Sequence, residues 1–413
     1  MSFSALQDGK FSRNCIDNQE WKQNIFFEKE EDMKERIIMR TTHCWIELDK
    51  EALLNNYQFF CDRIGKSKIA PVLKANAYGH GLSEVYHILA PYKPSWLCVN
   101  YLYEGEKLRQ WGYDGRILVL GPIVSLEEIE LAGSLEIELV IGNEEMLALW
   151  LEASSQPCIH IKFDTGLSRQ GFAAEKALII AGQLVPHRLK ITGVLTHFAN
   201  VEDALENDFA QRQISLLKAA KEAFVEKKLQ VKCHASSSAS SLLYEQDYFD
   251  LCRIGISLYG LCPSKLTLPS YQDAFGHVAN LKPVLSWKTK IAQVRPLLGG
   301  EYVGYGCTFK APGPMKIAVL SVGYFEGYPR IAANHQSYVL VKGVKCPIIG
   351  RICMNMTIVD VSKVSTVAVG TTATLIGSEK KETIDAQDLG DWSKTINYEI
   401  VTRLNSSIPR QIN

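Results

Sequence analysis

The chain has 413 residues, which is enough for two domains with large cores. Its 45 Lys and Arg balance its 45 Asp and Glu, so the formal net charge is zero, and the charge indicates neither a nucleic acid nor an anionic membrane as partner. The apolar content of 46% is typical of a globular protein, and no apolar run is long enough to span a bilayer.

The N-terminal stretch 1–40 is mostly polar and contains the charge run Glu28–Arg36. This composition predicts a disordered, solvated tail. The stretch lacks the apolar core of a signal peptide. The eleven cysteines of the chain are scattered without the paired spacing of metal ligands. We therefore expect reduced thiols, no metal site and a cytoplasmic location.

Strand-length and helix-length segments alternate from Cys44 onward. Cys44–Asp49 is predicted as a short strand, and Asp49 then has the position of a helix N-cap. Eight further apolar runs are predicted as strands, with helix-length segments between them: Ile69–Leu73, Trp96–Asn100, Arg116–Leu120, Ile137–Ile141, Ile159–Phe163, Gly193–Thr196, Gln230–His234 and Leu251–Ile254. Eight such units favour an α/β TIM barrel, (β/α)8, over an open sheet.

The pattern changes after the barrel. Pro263–Pro283 is predicted as a linker, because it contains three prolines and no clear periodicity. Short runs between glycines and prolines then predict a mainly-β domain: Val284–Val294, Ile317–Val322, Tyr338–Val341, Ile348–Arg351, Thr357–Val361 and Thr372–Ile376. Lys342-Gly343 has the composition of a hairpin turn. We assign residues 41–275 to the barrel domain and 276–413 to the β domain.

The stretch Pro71–Gly81 places a lysine directly after a buried strand. Poor hydration there disfavours the ammonium form of Lys74, and a neutral amine is what Schiff-base chemistry requires. Tyr78 offers a hydroxyl, and the glycines that follow bring backbone N–H groups close, as in many phosphate sites. In isolation the stretch is better explained by a snorkelling lysine and a glycine turn; later segments, which supply what a phosphorylated aldehyde cofactor needs, favour the functional interpretation.

This stretch closely resembles the pyridoxal-phosphate motif of the alanine racemase family. The resemblance extends over roughly Thr41–Arg410, with motifs in both parts of the chain and in the family's order. It implies that Lys74 binds pyridoxal 5'-phosphate covalently and that Tyr78 bonds the cofactor phosphate. It also implies that the strand at Cys44 joins the β domain and that the protein is a homodimer with composite active sites.

A second motif, His160–Phe172, has Lys162 and Asp164 on one strand face and then Arg169 in a loop. The planar fork of an arginine can hold a phenolate or a carboxylate. In isolation a structural Asp–Arg pair explains this pattern. The resemblance implies that Arg169 bonds the cofactor's phenolic oxygen and the substrate carboxylate, and that Lys162 is carbamylated and orients Arg169.

Two strand ends supply further candidate ligands. His197 follows a strand; a lone histidine there is more often a hydrogen-bonding residue than a catalyst. The resemblance implies that it packs beside the pyridine ring. Ser237 and Ser238 belong to a serine-rich loop where the family usually has Asn-Ser. Ser238 keeps the phosphate-binding hydroxyl, whereas the role of Ser237 stays open.

Leu251–Gly260 is the most diagnostic stretch. Gly255 and Ile256 can offer N–H groups to phosphate at the usual phosphate site of a barrel. By resemblance Arg253 meets the pyridine nitrogen, where most pyridoxal enzymes have a carboxylate. Because arginine cannot accept a proton, the nitrogen should stay unprotonated, and side reactions such as transamination should be suppressed. A structural arginine is the alternative.

Three motifs in the β domain complete the resemblance. Gly304–Phe309 presents Tyr305 between glycines, and the family match is the second catalytic base. Ser321–Arg330, which contains Tyr324, has Glu326 where the family has Asp. Gly350–Thr357 has Asn355 where the family has Asp, and its Met354 is implied to donate a backbone N–H to the substrate carboxylate. By the same resemblance Tyr324 belongs to the substrate site.

Together these motifs predict a pyridoxal-phosphate-dependent isomerase, an alanine racemase that interconverts L- and D-alanine and supplies D-alanine for peptidoglycan. Racemisation removes a proton from one face of Cα and returns one on the other, which calls for two bases, Lys74 and Tyr305. Two alternatives remain: a racemase of broader specificity and a non-catalytic pyridoxal-phosphate carrier. Arg253 argues against a decarboxylase, and the Tyr305 and Met354 motifs argue against the carrier.

Overall fold

A computed structural model describes residues 43–201, 208–244, 249–333 and 336–413. The predicted disordered tail, 1–40, lies outside these ranges. Within them no helix has both the length and the apolarity that a bilayer crossing requires. The cysteines in these ranges are all free thiols.

The described strands and helices are numbered in chain order. The strands are β1 (Cys44–Leu48), β2 (Ile69–Pro71), β3 (Trp96–Val99), β4 (Arg116–Val119), β5 (Ile137–Ile141), β6 (Ile159–Asp164), β7 (Phe172–Ala173), β8 (Ile191–Leu195), β9 (Lys232–His234), β10 (Cys252–Ile254), β11 (Leu285–Leu297), β12 (Tyr302–Val303), β13 (Phe309–Lys310), β14 (Met315–Leu320), β15 (Tyr338–Val341), β16 (Val344–Pro347), β17 (Thr357–Asp360), β18 (Thr372–Glu379), β19 (Glu382–Ile384) and β20 (Arg410–Ile412). The helices are α1 (Lys50–Ile64), α2 (Leu82–Leu89), α3 (Leu102–Gln110), α4 (Leu126–Ser134), α5 (Glu144–Glu152), α6 (Ala177–Leu184), α7 (Asp208–Glu226), α8 (Ser238–Leu243), α9 (Thr267–Phe275), α10 (Ala386–Trp392) and α11 (Asn397–Thr402).

The eight predicted barrel strands are confirmed, each within two residues of its predicted ends. They pair in parallel, β3 through β6 and then β8 and β9 in one sheet and β10 with β2 in another. Backbone bonds from Leu73 N–H to the Cys98 carbonyl (2.8 Å) and from Arg253 N–H to the Ser236 carbonyl (3.2 Å) join the two sheets. The (β/α)8 class is therefore confirmed.

The barrel is filled by the inward-facing side chains of its strands. They form one apolar cluster: Ala70, Val72, Trp96, Cys98, Leu118, Val140, Leu195 and Leu251. The opposite strand faces pack against the helices in a second, larger core. Helix α1 begins as predicted, because the Asp49 side chain accepts a bond from the Ala52 N–H at 2.8 Å.

The C-terminal part is mainly β, as predicted. Its sheet is built on the long strand β11, which pairs antiparallel with β1, β14 and β18. Strand β1 also pairs in parallel with β20, so the first and last described strands lie side by side. By its contacts, the chain from His43 to Asn413 is one compact unit. The boundary at residue 275 stays a prediction.

Two predictions in this region were wrong in detail. Pro263–Pro283 is not only a linker, since it contains α9. Pro269 is tolerated there because the first turn of a helix does not need its N–H. Ile348–Arg351 forms one isolated bridge rather than a strand, and β15 pairs with β16 on one side and β18 on the other. The turn between them is confirmed, with φ of +54° at Lys342 and +79° at Gly343, as a two-residue hairpin requires.

Candidate active site

A cavity of about 850 Å³ opens at the C-terminal ends of the barrel strands. It brings together all the site residues predicted in the barrel: Lys74, Tyr78, Lys162, Arg169, His197, Ser237, Ser238, Arg253, Gly255 and Ile256. None of the lining residues that the structure describes is Asp or Glu. The described wall of the cavity therefore presents cations and no carboxylate, although Glu104 and Asp164 lie close enough behind it to act on Lys74 and Lys162.

Lys74 begins a left-handed turn that the sequence did not predict. Ala75, Asn76, Ala77 and Tyr78 have φ between +52° and +55°. For residues with a Cβ this conformation costs about 1–2 kcal/mol each. Additional hydrogen bonds must therefore hold the turn. One of them is local: the Asn76 Oδ1 accepts a bond from the Leu82 N–H at 2.8 Å.

Helix α11 packs directly on the end of this turn. A Cβ added at Gly79 would lie 1.8 Å from the Val401 carbonyl oxygen, and Gly79 has φ of +82°. Close approach and backbone conformation thus both require glycine here. The same helix places Tyr398 and Thr402 on the cavity wall. The sequence analysis did not predict these two as site residues.

The cations of the cavity lower one another's affinity for protons. The pKa of Lys74 falls below its ordinary value through burial, with further contributions from Arg169 and Arg253. Burial and the same two arginines lower the pKa of Lys162 to about 8. Both amines are thus more readily neutral than a lysine in water, as predicted for Lys74 from its place at a strand end.

Arg253 lies buried on β10 and keeps its charge, although burial lowers its pKa. Its guanidinium donates to the His234 Nδ1 (2.6 Å) and to the backbone carbonyls of Thr196 (2.9 Å) and Ala235 (3.0 Å). Nη2 lies 3.4 Å from the His197 Nδ1. Burial and then Arg253 hold the pKa of His197 well below its usual range, so this cavity-lining ring is neutral.

A chain of buried side chains leads from Arg253 across the barrel. Because arginine only donates, His234 must carry its proton on Nε2, which lies 2.8 Å from the His160 Nδ1. His160 in turn donates through Nε2 to Glu138 at 3.0 Å. Burial lowers the pKa of both imidazoles, so Arg253 and Glu138 are joined through two neutral rings.

Glu138 on β5 is the anion at the far end of this chain. Burial alone would raise its pKa, but hydrogen bonds from His160 and from Arg116 outweigh burial and lower it to about 2. Sequence reasoning missed Glu138, His160 and His234. The strand period of two could have indicated His160, because it lies two residues before Lys162 on β6 and therefore on the same strand face.

The ends of β9 and β10 form a corner rich in hydroxyl groups. The Ser238 Oγ accepts from the N–H groups of Gly255 (3.0 Å) and Ser257 (3.3 Å), and a hydroxyl in that position can still donate its own hydrogen. A Cβ at Gly255 would lie 2.4 Å from the Tyr78 hydroxyl, so this glycine makes room for Tyr78. Burial raises the pKa of Tyr78 and keeps it a neutral donor.

The loop after β6 carries Arg169 into the cavity. Asp164 Oδ1 holds the loop by accepting from the N–H groups of Gly166 (2.9 Å) and Ser168 (3.0 Å). The Lys162 Nζ donates to the Gln170 Oε1 at 3.1 Å. Gln170, together with Asn100 and Asn143, also lines the cavity and was not predicted.

The structure does not bring the three predicted β-domain residues to this cavity of their own chain. Tyr305, Tyr324 and Met354 are absent from its described lining, and their exposed fractions are 68%, 42% and 55%. Tyr324 lies instead at a second cavity, of about 600 Å³, between the 327–331 loop and α11. Tyr305 sits on a surface turn between two glycines.

The loop with Tyr324 and the loop with Met354 are joined to each other. Tyr324 N–H donates to the Cys353 carbonyl (3.1 Å) and Phe325 N–H to the Met354 carbonyl (2.9 Å). The two β-domain residues that depart from the family pattern also meet, because the Asn355 Nδ2 donates to the Glu326 Oε1 at 2.7 Å. Glu326 Oε2 accepts from the Gly323 N–H at 2.8 Å. The departures therefore form one contact.

Comparison with known proteins agrees with this geometry. A family model described as alanine racemase, N-terminal domain, matches residues 48–263, and one described as alanine racemase, C-terminal domain, matches residues 284–412. The chain belongs to the alanine racemase family. The alanine racemase of Leptospira interrogans is 36% identical over 375 residues, which are 90% of this chain and 96% of that protein.

Solved structures agree over the same extent. The alanine racemase from Bacillus anthracis, solved with bound L-Ala-P, has a TM-score of 0.81 and 30% identity, covering 90% of this chain and 95% of that one. The alanine racemase from D-cycloserine-producing Streptomyces lavendulae has a TM-score of 0.81 and 26% identity, covering 90% of this chain and 97% of that one.

The Glu326–Asn355 contact predicts a pH-dependent variant. Asn355→Asp places a second carboxylate where an amide now donates, so the two groups repel when both are ionised. The melting temperature should fall relative to wild type at pH 8, and the difference should vanish as acid protonates one carboxylate. Because the pair is solvent-exposed, the loss should not exceed about 1 kcal/mol.

The double variant Glu326→Gln with Asn355→Asp is the matched control. It reverses donor and acceptor and should recover the wild-type melting temperature at pH 8. A deficit that is independent of pH, or one that the double variant shares, would show that the contact does not join the loops.

Proposed function

We propose that the protein is a pyridoxal-phosphate-dependent racemase that interconverts L- and D-alanine. The observation that carries the proposal is that Lys74 and Arg253 face one cavity whose described lining has no carboxylate. Lys74 supplies an amine that is easily neutral, and Arg253 supplies a charge that cannot be titrated. Membership of the alanine racemase family supports the same reaction. The proposed product D-alanine would serve peptidoglycan, and the proposed location is the cytoplasm.

The residues of the cavity fit pyridoxal phosphate by their charge. Four cationic side chains line it, Lys74, Lys162, Arg169 and Arg253, and they need an anionic occupant to relieve their mutual repulsion. Phosphate fits the hydroxyl corner of Tyr78, Ser237 and Ser238 with the Ile256 N–H, and the Gly255 N–H, which donates to the Ser238 Oγ, would orient that hydroxyl toward it. When bound, the cofactor withdraws electrons from Cα of an amino acid and makes the Cα proton acidic.

Lys74 has two roles in this proposal. Its neutral amine would be the group that holds the cofactor covalently. The same amine would lie beside Cα of a bound amino acid and would move the proton on one face. The lowered pKa of Lys74 serves both roles, because an amine must be unprotonated to attack a carbonyl or to accept a proton.

Arg253 limits the reaction to proton exchange. Its N–H groups can donate to the ring nitrogen of the cofactor but cannot deliver a proton to it. His234, already bonded to Arg253, accepts a hydrogen bond from it and gives none back. With Arg253 as its partner the nitrogen would stay unprotonated, so less charge would be withdrawn from Cα than in enzymes with a carboxylate at this position. His197, which is neutral, would contact the cofactor without adding charge.

As the second base we propose Tyr305 of a second copy. Its side chain is exposed in its own chain, as are the large apolar side chains of Tyr302, Phe325 and Met354 in the same part of the chain. Exposed apolar side chains of this size favour association. In a homodimer with composite sites, Tyr305, Tyr324 and Met354 of one copy complete the cavity of the other, where Arg169 and the Met354 N–H hold the substrate carboxylate.

Racemisation itself is the first test. With pyridoxal phosphate, L-alanine and D-alanine should each lose their circular dichroism and reach the same equal mixture. Borohydride should fix a pyridoxyl group on the peptide that contains Lys74. Lys74→Ala should abolish both results, and Lys66→Ala, at an exposed lysine, should change neither. Comparable turnover of other amino acids would indicate a racemase of broader specificity, and cofactor binding without turnover a carrier.

Composite sites predict complementation. Lys74→Ala and Tyr305→Phe should each be inactive alone. After dissociation and mixing they should recover roughly a quarter of wild-type activity, because about half of the dimers are mixed and each has one intact site. Activity is measured against the same mixture of Lys74→Ala with the double variant, which has no intact site. Independent proof of mixed dimers without recovered activity would refute the composite arrangement.

We propose in addition that Lys162 is carbamylated. An ammonium there lies in the field of Arg169 and Arg253, whereas a carbamate would reverse its sign and orient Arg169. Only the neutral amine reacts with carbon dioxide, so the carbamate should increase as the pH rises through about 8. In 13C-bicarbonate the protein should show a carbamate carbon resonance that Lys162→Gln lacks. A spectrum without this resonance in the wild type at pH 8 contradicts the proposal.

A further inference from the structure

The left-handed turn that carries Lys74 is held from both of its ends by charged side chains distant in sequence. Glu104 on α3 contacts its first N–H group, and Arg410 on β20 contacts its last carbonyl. We propose that Glu104 and Arg410 are positioning residues that clamp this turn and thereby aim Lys74 into the cavity. The consequence for the cofactor rests on the proposed function, whereas the clamp itself does not.

Glu104 is a buried carboxylate, 1% exposed, between the ends of two barrel strands. Its Oε1 accepts from the Ala75 N–H at 2.9 Å, and its Oε2 accepts from the N–H groups of Asn100 (2.8 Å) and Tyr101 (3.1 Å). Three backbone N–H donors thus converge on one carboxyl group. They tie the start of the Lys74 turn, after β2, to the segment after β3.

Arg410 grips the other end of the turn from the last described strand. Its Nε and Nη2 both donate to the Gly79 carbonyl, at 3.1 and 2.9 Å, and Nη1 donates to the Ile408 carbonyl at 2.6 Å. Only a planar fork can bond one oxygen through two nitrogens in this way. Burial lowers the pKa of Arg410, and the nearby charge of Glu84 partly opposes this effect.

These two clamps explain how residues with a Cβ persist in a left-handed turn. Glu104 satisfies the N–H that follows Lys74, and Arg410 satisfies a carbonyl at the point where the turn meets α11. A side chain at Gly81 would also collide with Arg410, since its Cβ would lie 2.8 Å from the arginine Cδ. The position of the Lys74 backbone is therefore fixed by these tertiary contacts together with the Asn76 side chain within the turn.

The clamps differ in their electrostatic effect on Lys74. Tyr78, whose ring centre lies 6.0 Å from the Lys74 Nζ, faces the amine from the same turn. The other described charged and titratable groups that act on Lys74 or respond to its charge are Arg169, Arg253, Lys162, His197, Cys98 and Glu104. Among them Glu104 is the carboxylate, and its charge raises the pKa of Lys74 against the effect of burial. Arg410 is not in this set. Loss of Glu104 should therefore change both position and proton affinity, and loss of Arg410 only position.

The test compares Glu104→Gln and Arg410→Met with exposed controls, Glu144→Gln and Arg403→Met. Hydrogen exchange of the peptide spanning residues 74–81 is measured in full-length protein without cofactor. Both clamp variants should exchange about tenfold faster than wild type, and the controls should not. Release of bound pyridoxal phosphate into an aldehyde trap should accelerate in the same two variants. Exchange and release at wild-type rates in both variants overturn the proposal.

A pH profile separates positioning from general damage. The pH at which the Lys74 amine of cofactor-free protein becomes reactive toward a lysine-specific reagent should move down in Glu104→Gln and stay unchanged in Arg410→Met. A downward shift in both, or in neither, contradicts the division of roles. If either variant fails to fold, Glu104→Asp and Arg410→Lys replace it. Each keeps the charge but loses one clamp contact, and wild-type exchange in both would reject the clamp.

These measurements also separate this proposal from the proposed function. If wild-type protein takes up no pyridoxal phosphate, the proposed function fails, yet hydrogen exchange still reports on the clamp. If wild type racemises alanine and the clamp variants keep wild-type exchange, the clamp fails and the function stands.

Discussion

The buried guanidinium of Arg253 is the constraint on which the end of the barrel depends. A permanent charge in a protein interior requires hydrogen-bond partners and a counter-charge. The strand ends supply carbonyls, and two neutral imidazoles extend the compensation to Glu138, which also pairs with Arg116. Glu138 is not part of the described cavity wall, so the cavity keeps its positive field. This separation lets one arginine be stable in the interior and still attract an anion.

The sequence predicted those parts of the structure that depend on local pattern. Alternation of apolar runs was enough for the eight barrel strands, and the rule that barrel chemistry follows strand ends placed Lys74, Lys162, His197 and Arg253 together. The helix α9 was missed because prolines were interpreted only as breaks. The buried chain of His234, His160 and Glu138 was missed because histidines and a glutamate within strands resemble ordinary exposed positions until the strand faces are assigned.

The remaining features could not be predicted because they come from contacts distant in sequence. Ala-Asn-Ala-Tyr contains no glycine, and nothing in it predicts a left-handed turn. Its conformation follows from Asn76 and from charged residues on α3 and β20. The contact between Glu326 and Asn355 was not predicted either, because each departure from the family pattern was considered alone. The structure joins them in a hydrogen bond, in which an amide opposite a longer carboxylate replaces two like charges.

The barrel geometry also limits what one copy of the chain can do. All eight strands end at the same side of the barrel, so the groups they carry approach a bound molecule from that side. Proton transfer on the opposite face of Cα needs a group that enters from beyond the strand ends. Helix α11 of the same chain reaches the cavity rim and contributes Tyr398, but Tyr305 lies on a turn that is exposed in its own chain. On the proposed function, a second copy supplies that face, and catalysis would then depend on assembly as much as on folding.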